Sequence, residues 1–241
     1  MDLIISGNIT KDTLYHIYDN FFKEIKIGGI MNAWSHFQYI NKRGYTIDLQ
    51  PLSYGESIIL IDKKYCERYN RSELNIIHNI PNKIVKTKWY HLMYINQLTE
   101  YNEQFLKNIN SKILSCDICG GVDNLFFDIA LLKFFDFVFL SEDDIYGEIT
   151  LDDIKEKVKG YLIIHSSKNC KILNNKMENP IELKVNINKI LSNINVLGAG
   201  DYFAASFIYY MMNNCVTDIS NIQDAIKFSQ NSLYEKFIKY K

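Results

Sequence analysis

With 241 residues, 47% of them hydrophobic and 23% charged, the chain is long enough to bury a core and has the composition of a soluble globular protein rather than a disordered or fibrous one. Lys and Arg (27) nearly balance Asp and Glu (28), so there is no general positive field to draw a phosphate backbone, and a nucleic-acid binder is not expected. The longest apolar runs, LLKFFDFVFL (Leu131–Leu140) and YFAASFIYYMM (Tyr202–Met212), fall well short of the ~20 residues that span a bilayer.

The first segment, MDLIISGNITKD, has an acid at its second position and only a short apolar stretch. It lacks the basic and long apolar regions of a secretory signal, so cytoplasmic residence is expected. LIIS (Leu3–Ser6) reads as a strand ending at Gly7. GGIMNAWSHFQYINKRG (Gly28–Gly44) has helical spacing and stops at a glycine. GESIILID (Gly55–Asp62) reads as a strand with a turn on each side, and WYHLMYI (Trp89–Ile95) as a buried strand with His91 in the core. TEYNEQFLKNINSK (Thr99–Lys112) predicts a helix capped by Thr99. ILSCDI (Ile113–Ile118), FDFVFLS (Phe135–Ser141) and GYLIIHS (Gly160–Ser166) predict core strands, separated by helical windows such as LDDIKEKVKG (Leu151–Gly160). Strands alternating with helices imply an α/β fold with a mostly parallel sheet covered on both faces, its ligands at the carboxyl ends of the strands. With three prolines and no repeat or linker, one domain over residues 1–241 is expected.

Five cysteines, Cys66, Cys116, Cys119, Cys170 and Cys215, are an odd number in a chain able to build its own core, which points to reduced thiols. Cys116 and Cys119 have C-x-x-C spacing, but no second pair or His cluster completes a zinc site. The 17 Tyr and 14 Phe are read as packing residues, since no basic groove accompanies them.

NVLGAGDYFAAS (Asn195–Ser206) carries the chemistry. If a helix starts at or just after Gly198, the N–H groups of Ala199, Gly200 and Asp201 have no acceptor in the helix, and the glycines let an anion approach the backbone. Helix polarity adds positive potential at that spot. A carboxylate beside a phosphate site makes sense as a base that takes a proton from an attacking hydroxyl, which would make Asp201 catalytic. The simpler reading of Asp201 is a favourable first-turn acid behind a tight glycine turn.

These residues resemble the PfkB (ribokinase-like) carbohydrate kinase family, whose late signature contains G-A-G-D-x-F, here Gly198 to Phe203. Two earlier landmarks follow in order: G-x-x-x-x-D, matched by GNITKD (Gly7–Asp12), and a Gly-Gly pair with an Asn, matched by GGIMNAW (Gly28–Trp34). The resemblance implies a three-layer α/β/α fold with a small β lid, its strands around 10–27 and 53–72. It implies that Asp12, Gly28, Gly29 and Asn32 hold the hydroxyls of a sugar, that Gly198, Ala199 and Gly200 hold the phosphate of ATP, and that Asp201 is the base. Asp144 in FVFLSEDD (Phe137–Asp144) stands at the family's magnesium carboxylate and would meet Mg²⁺ through water. The implied activity is ATP-dependent phosphorylation of a sugar or sugar-like alcohol, with a homodimer formed through the lid.

The sequence departs from the family pattern at several places. NKRGYTIDLQPLSYGES passes almost directly from helix end to lid strand, implying a narrower sheet. Asn195 and Val196 stand where the family has Asp followed by Thr or Val, that Asp helping to form a monovalent-cation site, and HSSKNC (His165–Cys170) replaces a T-x-G-x-x-G pattern at the nucleotide site. His165 reads as a packed or solvated strand-end residue rather than a phosphate contact. These departures keep two other readings open: a non-catalytic sugar- or nucleotide-binding relative, and a nucleoside kinase.

Overall fold

The computed structural model describes residues 1–17, 22–61, 66–71, 75–76, 86–97, 102–119, 128–145, 149–185, 197–214 and 217–239, with backbone alone at 66–71, 75–76 and 239. In chain order the elements are β1 (Leu3–His16), β2 (Phe22–Gly29), α1 (Ile30–Ile40), β3 (Ile47–Ile61), β4 (Cys66–Arg71), β5 (Asn75–Ile76), β6 (Thr87–Leu92), α2 (Glu103–Lys107), β7 (Ser111–Ile118), β8 (Phe137–Ser141), α3 (Leu151–Lys157), β9 (Tyr161–His165), β10 (Asn169–Leu173), β11 (Ile181–Lys184), α4 (Ala199–Asn214) and α5 (Ile219–Lys239). Short 3-10 segments stand at Ile95–Gln97, Ile129–Phe134 and Glu142–Asp144. Two compact units share the chain: Met1–Gly7 with Tyr45–Gln50 and Asn79–Val185, and Asn8–Gly44 with Pro51–His78 and Asn186–Lys241.

In the first unit the start of β1 pairs in parallel with β6, and β6, β7, β8 and β9 follow in parallel, while β10 and β11 add an antiparallel edge. The strands are near-continuous apolar runs because both faces are covered: Phe137, Val138, Phe139 and Leu140 of β8 are all buried. Phe137 stacks against Trp89 at 5.5 Å between ring centroids and against Tyr161 at 6.0 Å. Two polar side chains of this core share one hydroxyl, Trp89 Nε1 donating to Ser115 Oγ at 2.7 Å and His91 Nδ1 lying 2.9 Å from it.

Several boundaries differ from the sequence expectation. β6 ends at Leu92 rather than Ile95, because Tyr94 takes a left-handed φ of 60° and turns the chain out of the sheet. The short helix α2 is capped by Asn102, whose side chain accepts from the Phe105 N–H at 2.9 Å, so the cap is three residues past Thr99. β1 does not stop at Gly7. From Leu3 to Asn8 every residue is buried, and beyond that Thr10, Asp12, Leu14 and His16 are buried while Lys11 is exposed. The apolar run ends at Gly7, but the strand goes on with one face buried, a pattern that alternation marks and hydrophobicity alone hides.

In the second unit β2 lies antiparallel to the later part of β1, and β3 pairs antiparallel with β4 and β5. β3 starts at Ile47, well before the expected Gly55, and follows α1 directly through the turn at residues 41–46. Helices α1, α4 and α5 pack together: Phe37 meets the edge of Tyr209 at 5.6 Å, and Tyr209 meets Phe228 at 6.0 Å. The small residues Ala204, Ala205 and Ser206 on α4 are almost fully buried and let the neighbouring helices approach closely. Among the described residues no helix is long and apolar enough to cross a membrane.

Candidate active site

The second unit gathers most of the residues that the motifs singled out. On β1 the alternation puts Thr10 and Asp12 on the buried face, opposite Gly28 and Lys26 of β2. A methyl group at Gly28 would overlap Asp12 Oδ2 and come within 2.8 Å of Thr10 Oγ1, so the bare glycine backbone is what lets the carboxylate lie against β2. Gly29, with φ of 65°, crowds the Asn8 carbonyl in the same way and turns the chain from β2 into α1.

Asn32 sits in the first turn of α1, held there by the buried anchors Ile30, Ala33 and Phe37. Its Nδ2 donates to Asp201 Oδ2 at 2.8 Å. Asp201 is 5% exposed and lies in the first turn of α4, whose first backbone bond runs from the Tyr202 N–H to the Gly198 carbonyl at 3.0 Å. The N–H groups of Ala199, Gly200 and Asp201 therefore stand ahead of the helical ladder, at its positive pole. Gly198 has φ of 80°, and a Cβ there would lie 3.2 Å from Asn32 Nδ2 and 3.6 Å from Asp201 Oδ2. Just before it, Leu197 packs against Leu14, Ile59 and Ile61. Gly198, Asn32 and Asp201 thus meet in one place, and two residues link Asn32 to the Gly28–Gly29 turn over Asp12.

Two features at this site escaped the sequence reading. Ser57 of β3 donates to Asp12 Oδ1 at 2.5 Å. The sequence did not mark it: β3 alternates buried and exposed residues from Ser53 to Ile59, but the apolar Tyr54 and Ile58 fall on the exposed face and Ser57 on the buried one. The second is His36, one turn beyond Asn32 on α1. Its Nε2 lies 2.9 Å from Ser206 Oγ and 3.1 Å from Ser232 Oγ, and its ring lies 5.0 Å from that of Tyr202. Burial, with the Lys236 charge adding to it, lowers the His36 pKa to about 4, so the imidazole is neutral near pH 7. Burial and the adjacent Asp201 charge raise the Tyr202 hydroxyl above its ordinary value. No local sequence signal marks His36, because its partners are 170 and 196 residues away.

The remaining candidates lie in the first unit or outside the described residues. Asp144 is half-buried in the turn after β8, where Ser141 accepts from the Asp143 N–H at 3.4 Å. Its neighbour Glu142 is paired with Lys171 at 2.6 Å, which holds the Glu142 carboxyl below its ordinary value. Among the described residues no three His, Cys, Asp or Glu side chains gather to hold a metal. A single carboxylate suits a hard cation that keeps most of its water, as Mg²⁺ does, and does not suit zinc. HSSKNC forms the tight connection between β9 and β10, with Ser166 Oγ donating to Asn169 Oδ1 at 2.9 Å, Ser167 exposed and Cys170 buried opposite His165. Burial lowers the His165 pKa to about 4. Among the described residues Cys116, Cys119 and Cys170 form no disulfide, and burial raises the thiol pKa values of Cys116 and Cys170. Asn195, Val196 and Cys215 lie outside the described residues.

No sequence-family model matches the chain, and no curated protein matches it. Solved structures do. An adenosine kinase from Anopheles gambiae, in complex with P1,P4-di(adenosine-5) tetraphosphate, superposes with a TM-score of 0.71 at 13% identity, over 98% of this chain and 96% of that one. Adenosine kinase from Schistosoma mansoni, in complex with 2-fluoroadenosine, gives 0.67 at 13% identity over 96% and 95% of the two chains. Ribokinase from Thermotoga maritima gives 0.66 at 14% identity, covering 99% of each. At such identities the likeness is one of fold.

Proposed function

We propose that this chain, which has the ribokinase-like fold, is an ATP-dependent phosphotransferase acting on a hydroxyl of a sugar or sugar-like alcohol, with Asp201 as its base. The observation that carries this reading is the meeting of Asn32 with Gly198 and Asp201, which lie more than 160 residues further along the chain, through the 2.8 Å Asn32–Asp201 hydrogen bond. An amide donor takes no proton and adds no charge, so Asn32 orients the carboxylate without neutralising it. Asp201 then accepts the acceptor's O–H proton as that oxygen bonds to the γ-phosphorus and the bond to the β-phosphate oxygen breaks. The N–H groups of Ala199, Gly200 and Asp201 face the charge that develops on the transferring group.

Asp12, Gly28, Gly29 and Asn32 form the acceptor end of the site in this reading. A buried carboxylate and a side-chain amide supply the acceptors and donors that a polyol needs. Asp144 would meet Mg²⁺ through water, and the cation would supply neutralisation of phosphate charge. A homodimer would form through the outward face of the lid strands, where Ile25, Ile27, Tyr54 and Ile58 are exposed. Residence in the cytoplasm fits an enzyme that draws on ATP.

The test is ADP release from Mg-ATP with a panel of sugars and nucleosides, with the product identified by mass. At least one alcohol should give release that Asp201→Asn lowers about 10²–10⁴-fold with the fold intact. Release that is the same in the wild type and in Asp201→Asn removes the base from the mechanism.

A further inference from the structure

A buried carboxylate that must recognise a neutral alcohol has to be held still, because an Asp side chain that turns about its own bonds presents either oxygen to the ligand. Asp12 is 3% exposed, and among the described residues Ser57 is the one side chain that donates to its carboxylate. Oδ1 takes that bond, and Oδ2 is pressed against the bare Cα of Gly28 beside Thr10 Oγ1. The two oxygens of Asp12 are therefore in different surroundings, one fixed by a hydroxyl and the other by a close-packed backbone.

Ser57 is itself fixed. It is 2% exposed on β3, and the residue before it, Glu56, pairs with Lys11 at 3.1 Å. Successive residues of β3 thus grip successive residues of β1, Glu56 on the exposed face and Ser57 on the buried one. A backbone bond from the Ile17 N–H to the Ile61 carbonyl at 2.9 Å continues the same register. A shift of β3 by one residue would exchange the two faces and carry the hydroxyl away from Asp12.

We propose that Ser57 is a positioning residue for acceptor recognition: by donating to Asp12 Oδ1 from β3 it sets which face of the carboxylate meets the acceptor, and so couples the placement of that strand to acceptor affinity. The proposal rests on the reading of Asp12 as an acceptor-binding residue. The Ser57 hydroxyl bonds to Asp12, whereas Asp201 takes its bond from Asn32, so the loss of Ser57 weakens acceptor binding and spares the chemical step.

The experiment compares Ser57→Val with Ser57→Thr, two side chains of the same shape of which only the second keeps a hydroxyl. D-ribose and adenosine are the probes, with affinity read by calorimetry without nucleotide and kcat and KM read by ADP release. Ser57→Val should bind the probe about ten-fold more weakly, the scale of one hydrogen bond to a charged group. It should raise KM by a similar factor with kcat little changed, and Ser57→Thr should restore both. Equal affinity in Val and Thr variants, or a fall in kcat matched by a fall in thermal stability, would overturn the proposal. A wild-type chain that binds neither probe overturns the acceptor site around Asp12, and the proposal with it. The kinase reading fails by a different sign, unchanged ADP release in Asp201→Asn.

Discussion

Asn32 Nδ2 and Asp201 Oδ2 are 2.8 Å apart across 169 residues of sequence, and the hydrogen bond between them joins the first turns of α1 and α4. If the amide orients the base, Asn32→Ala should lower kcat by roughly ten- to hundred-fold, the scale of one lost hydrogen bond to a charged group. Asn32→Asp should do worse, since it sets a second carboxylate beside Asp201. Steady-state kinetics on the best acceptor from the panel, with circular dichroism as the control for folding, checks both.

Gly28→Ala should act on acceptor binding without touching the base. Its methyl group collides with Asp12 Oδ2, a buried side chain already tied to Ser57, so the carboxylate must turn away or β2 must move. Overpacking of this kind costs about 1–3 kcal/mol in stability. The expected kinetic result is a KM increase of about ten-fold or more, with the larger effect on KM than on kcat.

Stability should fall with acid through the buried histidines. His36 has its folded pKa lowered to about 4 and His91 to about 3, both by burial, against an ordinary value of 6.5. The unfolded chain therefore binds protons that the folded chain refuses, and the stabilisation is complete above pH 6.5 and lost progressively as the pH falls toward 4 and then 3. Asp2 adds to the loss only below 3.8, its carboxyl being held down to about 2 first by the Lys88 hydrogen bond and then by the Thr46 N–H. Urea unfolding at pH 7 and pH 5 should show the decline, and His36→Gln should flatten its upper part.

Phe137→Ala should be among the most damaging substitutions in the first unit. The ring is 1% exposed and lies between Trp89 and Tyr161, each itself part of the sheet. Removing it costs about 3–5 kcal/mol. Denaturant titration of the variant gives the value directly, and a loss below 1 kcal/mol would mean that neighbouring rings refill the space.

What could be read in the sequence was local. The bare glycines at 28, 29 and 198, the acid at 12 and the acid at 201 sit in short words whose chemistry needs no knowledge of the rest of the chain, and the structure gathers all five positions into the second unit. Core strands such as Phe137–Ser141 were legible because burial on both faces leaves an unbroken apolar run. The second half of β1 was not, because one covered face leaves only alternation, and ITKDTLYH mixes charge into it. Ser57 and His36 were invisible for another reason: a serine or a histidine gains its role from a partner that the fold supplies from 45 or 170 residues away.

The crowding at Gly28 limits how such a protein can change over evolutionary time. A β-carbon there meets oxygen at once, so the surroundings of Asp12 cannot be altered by decorating that position of β2. The open path runs through exchanges among small side chains at Thr10 and between serine and threonine at Ser57, which leave the main chain in place and keep the hydroxyl on Asp12.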